Sequence, residues 1–153
     1  MTAFTESDKT YMREALRLAA AAGDAAEVPV GAVLVHDDNI IGVGSNAPIA
    51  TQDASAHAEI LALRDAGARS GNYRFPGSRL FVTLEPCMMC AGALVHARVA
   101  EVIFAASDPK SGVAGGATDL SAGHWLNHQV RYRGGLLRGD AAQLLVGFFK
   151  ARR

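Results

Sequence analysis

Leu80-Phe81-Val82-Thr83-Leu84-Glu85-Pro86-Cys87-Met88-Met89-Cys90 reads as a buried strand that runs straight into a helix carrying two cysteines at its start. Leu80 to Leu84 is a short apolar run rich in β-formers. Pro86 suits a first helical turn, where its missing N–H is an orphan anyway. The helix is expected to extend to about Arg98, and a further strand to cover Val102 to Ala106. A strand feeding a helix feeding a parallel strand is the repeating unit of a helix-covered α/β sheet.

Working outward in both directions gives the remaining elements. Upstream, Met12, Ala15, Leu16 and Ala19 fall at i, i+3, i+4 and i+7, which predicts a helix over about Lys9 to Ala22 that ends at Gly23. Val28 to Val35 reads as a buried strand, His36 to Asn39 as a turn, and Ile40 to Gly44 as the hairpin partner. Ser45 to Ser55 is expected to be loop. A helix follows over about Ala56 to Ala68, with Asp53 or Ser55 as its cap. Downstream, residues 107 to 128 contain Gly112, Gly115, Gly116 and Gly123 and read as a long irregular connection, of the kind that is usually functional. A short strand near Val130 to Arg133 and a final helix over about Asp140 to Lys150 complete the chain.

The chain has 153 residues, which predicts one domain spanning its whole length. Such a chain buries roughly 70% of its unfolded surface and holds a core without staples. No apolar run approaches the length of a membrane span. The start of the chain lacks the basic-then-apolar pattern of a secretory leader. Both cysteines sit in one C-x-x-C pair, which suits a reduced or metal-bound state and a cytoplasmic location. The 15 basic and 15 acidic residues cancel, so bulk charge gives no argument for nucleic-acid binding. Cations do gather locally, at Arg131, Arg133 and Arg138 and in the tail Lys150-Ala151-Arg152-Arg153. A solvated helix end accounts for these as well as a binding face does.

The chemistry lies in His57-Ala58-Glu59 and Cys87-x-x-Cys90. One imidazole and two thiolates make three zinc ligands, and three protein ligands leave the fourth tetrahedral position for water, the mark of a catalytic zinc. Cysteines at i and i+3 in a first helical turn reach one ion, and the helix dipole there favours the thiolate. Glu59 lies roughly 200° around a helix from His57, so it fits a proton shuttle better than a fourth ligand. A structural zinc site would need another ligand, for which His96 is the nearby candidate. A thioredoxin-like redox pair would need neither His57 nor Glu59.

The pattern H-A-E followed by T-L-E-P-C-M-M-C-A-G-A resembles the zinc deaminases of the cytidine deaminase superfamily. Further stretches resemble its branch of bacterial tRNA-specific adenosine deaminases: Val28 to Ala32, Asn46, Asn72-Tyr73-Arg74, Asp108 with Lys110 and Gly112, Asn127-His128, and Phe148-Phe149-Lys150. The resemblance implies a three-layer α/β/α fold with a central mixed five-stranded sheet, and a homodimer with one zinc ion per subunit. It places the zinc ligands at His57, Cys87 and Cys90 and the proton shuttle at Glu59. It implies substrate contacts at Asn46, the Ala58 backbone N–H, Asp108, Lys110, Asn127, Phe148, Lys150 and Arg152. The implied reaction is hydrolytic deamination of adenosine to inosine in RNA, at the wobble position of a tRNA anticodon stem-loop. The alternatives are a deaminase of the same fold acting on a free base or nucleoside, and a non-catalytic zinc-scaffolded subunit. The resemblance is loose between Ala117 and Leu126. There His124 and Trp125 are candidates to stack on an RNA base, while Trp125 equally suits a core or dimer contact.

Overall fold

The structure, a computed structural model, describes residues 3–153. Its elements are α1 (Glu6–Asp24), β1 (Gly31–His36), β2 (Asn39–Ser45), α2 (Pro48–Thr51), α3 (Ala58–Ser70), β3 (Arg79–Leu84), α4 (Met88–His96), β4 (Glu101–Ala106), β5 (Arg131–Gly134) and α5 (Arg138–Lys150). The five strands form one mixed sheet in the order β2-β1-β3-β4-β5. β1 is antiparallel to both β2 and β3, whereas β3, β4 and β5 run parallel.

Strand alternation divides the core into two layers. Ala32, Leu34, Leu80, Val82, Val102 and Phe104 face α3 and α4. Val33, Val35, Phe81 and Ile103 face α1 and α5, where they meet Met12, Ala15 and Ala141. The three-layer α/β/α arrangement expected from the sequence is therefore present. Helix α3 lies unusually close to the sheet. A Cβ on Gly44 would sit 2.1 Å from the Ala58 carbonyl oxygen, and one on Gly42 would sit 2.4 Å from that of Ala62. Only glycine permits this approach, and it fixes the height of the helix that begins at the site.

Several boundaries differ from those read in the sequence. Helix α1 starts three residues earlier than expected because Thr5 and Asp8 form a capping box. Thr5 Oγ1 accepts from the Asp8 N–H and Asp8 Oδ2 accepts from the Thr5 N–H, both at 3.0 Å. Strand β1 begins only at Gly31. Pro29 has no N–H for the ladder, and the Val30 N–H turns back to the Val28 carbonyl at 2.9 Å, so Val28 to Val30 lies off the sheet. Asp37 and Asp38 both have positive φ, the geometry of a two-residue hairpin turn that matches strand twist. The expected loop at 45–55 contains the single turn α2, whose Ile49 and Ala50 N–H groups donate to the buried Glu27 carboxylate at 3.1 and 2.8 Å. Neither Asp53 nor Ser55 caps α3. Asp53 is engaged by Ser55 and Arg64, and His57 takes the N-cap position.

Arg133 is withdrawn from the basic cluster read in the sequence, whereas Arg131 keeps its side chain 77% exposed. They join an ion-pair network on the α1 side of the sheet, at the start of β3 and β4. Arg79 meets Asp8 at 2.8 Å, Arg133 meets Glu101 at 3.1 Å and Asp8 at 3.9 Å, and Arg131 meets Glu101 at 3.7 Å. Burial pushes the Asp8 carboxyl up, but the Thr5 N–H and the Arg79 guanidinium outweigh it and hold it below the ordinary 3.8. A folded-state value below the unfolded one contributes stability above pH 3.8 and loses it as the pH falls through the folded value. Asp8→Asn removes a carboxylate shared by Arg79 and Arg133. It is expected to cost about 3 kcal/mol in urea unfolding at pH 7 and to flatten the loss of stability in acid. An unchanged urea midpoint would contradict this role.

Candidate active site

Two helix N-termini meet end-on at the edge of the sheet, as the ligand spacing requires. His57 is the N-cap of α3, with extended backbone angles (φ −74°, ψ 153°), and Cys87 is the N-cap of α4. Neither helix opens with a Ser, Thr, Asp or Asn cap, so the first N–H groups of both are left to face the site. His57 Nδ1 lies 3.7 Å from Cys87 Sγ and 3.5 Å from Cys90 Sγ. All three ligand atoms lie within 4.8 Å of one another. A tetrahedral zinc with Zn–S near 2.3 Å and Zn–N near 2.0–2.1 Å separates nitrogen and sulfur by about 3.5 Å. Both nitrogen–sulfur distances therefore match zinc, and the soft donor set suits that metal. Among the described residues this is the one group of His, Cys, Asp and Glu side chains that brings three donors together.

The two cysteines are not equivalent. Hydrogen bonding from Cys90 pulls the Cys87 thiol down to about 5, helped by the Cys90 and Met89 N–H groups at the start of α4. The Cys90 thiol is pushed up by that same hydrogen bond and then by its burial. A dication between the two sulfurs favours thiolate at both.

A cavity of about 240 Å³ opens beside the ligands. Its lining includes Asn46, His57, Glu59, Cys87 and Asp108, together with Glu85, Ser111 and the Val28 and Val30 side chains. Glu59 is only 4% exposed. Its burial pushes its carboxyl above the ordinary 4.5, against the opposing pull of backbone N–H, the Cys90 thiol and the His57 charge. The sequence placed His57 and Glu59 on different helical faces. They reach one cavity because His57 precedes the helix and helical angles do not govern its direction. Asn46 is buried, with its N–H on the Val30 carbonyl at 3.0 Å and its Nδ2 on the Val28 carbonyl at 3.2 Å. Ala58 is buried and supplies the first N–H of α3.

Other expected contacts lie outside this cavity. Lys110 and Asn127 are exposed and do not line it. Phe148 and Arg152 line a neighbouring groove with Pro29, where the Arg152 guanidinium stacks 3.5 Å from the Phe148 ring centre. Lys150 is exposed at the end of α5. Trp125 is 64% exposed and so is not a core residue. It borders an apolar groove over α4 with Met88, Ala91, Val95 and Leu126.

Glu85 was not singled out by the sequence. It is 3% exposed, and its carboxylate collects the backbone N–H groups of Asp108 (3.0 Å), Ala114 (2.8 Å) and Gly116 (2.9 Å). The signal was its place between a strand end and a zinc ligand, but its partners are backbone amides more than twenty residues away.

Residues 5–106 match the family model for the cytidine and deoxycytidylate deaminase zinc-binding region. A tRNA-specific adenosine deaminase of Haemophilus influenzae is 46% identical over 150 residues, covering 97% of this chain and 87% of its own. A structure from a study of A-to-I editing by tRNA:A34 deaminases at the wobble position superposes with a TM-score of 0.84 at 38% identity, covering 89% of this chain and 99% of that one. A guanine deaminase from Nitrosomonas europaea shares the fold with a TM-score of 0.79 at 25% identity, covering 97% and 86%. The ligand triangle, the neighbouring buried carboxylate and the family match over 5–106 agree, and the chain belongs to the zinc-binding cytidine and deoxycytidylate deaminase family.

Proposed function

We propose that this chain is a hydrolase that converts adenosine to inosine in RNA, with the wobble adenosine of a tRNA anticodon as its target. The observation that carries this reading is the His57/Cys87/Cys90 triangle with buried Glu59 beside it, in a chain 46% identical to a tRNA-specific adenosine deaminase over nearly its whole length. His57, Cys87 and Cys90 hold zinc. When bound, zinc lowers the pKa of water to about 7 and so supplies a nucleophile at neutral pH. Glu59 takes a proton from the attacking water and gives it to N1 of the adenine. As the C6–N6 bond breaks, Glu59 takes the remaining water proton from the hydroxyl now on C6 and passes it to the departing amine, so that adenosine and water leave as inosine and ammonia.

The cavity, about 240 Å³, is small beside the roughly 300–1,000 Å³ of drug-sized pockets. It suits one extruded base, with ribose and phosphates left outside. Asn46 presents its carboxamide oxygen to that base, because its Nδ2 is held by Val28. The Ala58 N–H offers a second contact at the opening of α3. An anticodon loop is already partly splayed, so extruding its base costs less than opening a duplex. Asp108, Lys110 and Asn127 then meet the nucleotides flanking that base. Phe148, Lys150 and Arg152 hold the backbone further out, where Arg152 stacked on Phe148 presents a charged platform.

The whole chain acts as one deaminase domain, in the cytoplasm, as a homodimer. The apolar groove over α4, with Met88 73% and Trp125 64% exposed, is the face assigned to the second copy. Among the described residues no helix is long and apolar enough to cross a membrane.

Ammonia release tests the substrate class. The zinc-loaded protein is expected to release ammonia from an anticodon stem-loop bearing a wobble adenosine, and none from guanine, cytosine or their nucleosides. Release from a free base alone would overturn the RNA reading.

A further inference from the structure

We infer that Glu85 is a positioning residue that locks the 108–116 wall of the cavity to the zinc-bearing segment. The inference rests on the proposed RNA deaminase reading for its kinetic arm only.

Glu85 follows Leu84, the last residue of β3, and its own N–H is fixed on the Ala106 carbonyl at 2.8 Å. Its side chain therefore projects from the place where β3 and β4 end together. Oε1 accepts from the Asp108 N–H, and Oε2 accepts from those of Ala114 and Gly116. Asp108, Ala114 and Gly116 are half-buried, and amides turned away from water need acceptors. One carboxylate supplies them for amides spread across nine residues. A ring of backbone N–H groups around an anion is the recurring nest arrangement.

The loop is shaped to that carboxylate. A Cβ on Gly112 would sit 2.3 Å from Glu85 Cδ and 2.4 Å from its Oε2. One on Gly116 would sit 2.6 Å from Oε1 and 2.2 Å from the Asp108 carbonyl oxygen. The Val113 N–H closes the ring onto the Pro86 carbonyl at 3.1 Å, next to the ligand Cys87. Metal-bearing segment and loop thus move as one piece. The loop contributes Asp108 and Ser111 to the wall of the cavity that Glu59 and His57 also line. Asp108 in turn takes the Lys110 and Ser111 N–H groups on Oδ1, at 3.0 and 3.2 Å, so the position of Asp108 sets the rest of the rim.

A carboxamide cannot replace this group. One of its two ends is a donor, and both ends face N–H donors here. In Glu85→Gln the wall loosens while zinc and Glu59 keep their places. Ground-state and transition-state binding weaken together, which raises KM and spares kcat.

The test uses the zinc-loaded protein, with two readouts on Glu85→Gln. Amide hydrogen exchange at Asp108, Ala114 and Gly116 is expected to speed up by about tenfold, with β1 protection and zinc content unchanged. On the anticodon stem-loop, KM is expected to rise by about tenfold with kcat within about twofold. Wild-type exchange at the three amides, or a fall in kcat at unchanged KM, would overturn the inference. Should Glu85→Gln fail to fold, Gly112→Ala displaces the loop from its other side and is expected to give the same rise in KM. A folded Gly112→Ala with wild-type KM overturns the inference equally. If the wild-type protein itself leaves the RNA unchanged, the RNA reading has failed, and the exchange readout alone decides the role of Glu85.

Discussion

Glu59→Gln is expected to lower turnover by about 10²–10⁴-fold while zinc content and the unfolding midpoint stay at wild-type values. Glu59 is 4% exposed, sits beside Cys90 and lines the cavity that receives the substrate. Burial raises its proton affinity above that of an ordinary carboxyl. A base that must both take and return a proton near neutrality benefits from that shift. Glutamine keeps the shape and the polarity but can do neither step. Because Glu59 is not one of the three grouped ligands, its loss leaves the metal in place. Wild-type turnover in the variant would remove Glu59 from the reaction, and loss of zinc would make it a ligand instead.

Cys87→Ala is expected to abolish both zinc retention and activity. Two donors, His57 and Cys90, remain in the variant. Changes that only orient a ligand typically cost 10–100-fold in metal affinity, and removing a ligand outright costs more. Cys87 is also the thiol most disposed to ionise, drawn down to about 5 by Cys90 and the first amides of α4. Metal analysis after gel filtration is expected to fall from one zinc per chain to near none, with the five-stranded sheet still folded as judged by far-UV circular dichroism. Full zinc retention would contradict the ligand assignment.

The fold was legible in the sequence wherever a signal was local. The apolar run of β-formers in 80–84, the helical spacing of Met12, Ala15 and Ala19, and Pro86 before the cysteine pair each act within a few residues. The grouping of His57, Cys87 and Cys90 was legible for the same reason, since donor type and spacing carry the chemistry. Misreadings arose where a distant partner decided the outcome. Val28 to Val30 has the composition of a strand, but Pro29 breaks the ladder and the segment lines the cavity instead. Arg133 reads as part of a possible nucleic-acid patch until Asp8 and Glu101 are seen to pair with it. The rotation argument for Glu59 assumed that His57 belonged to the helix, whereas an N-cap residue is extended. Glu85 left only its position between a strand end and Cys87 as a signal. Its partners are backbone amides of an irregular loop, and backbone groups leave no trace in side-chain composition.

The central claim is adenosine deamination at the wobble position of tRNA. Its most direct test is to incubate the purified zinc-loaded protein with a pool of unmodified tRNA and sequence position 34. Adenosine there is expected to become inosine, read as guanosine, with wild-type protein and not with Glu59→Gln. An unchanged adenosine at that position, with ammonia released from a free base or nucleoside instead, would contradict it.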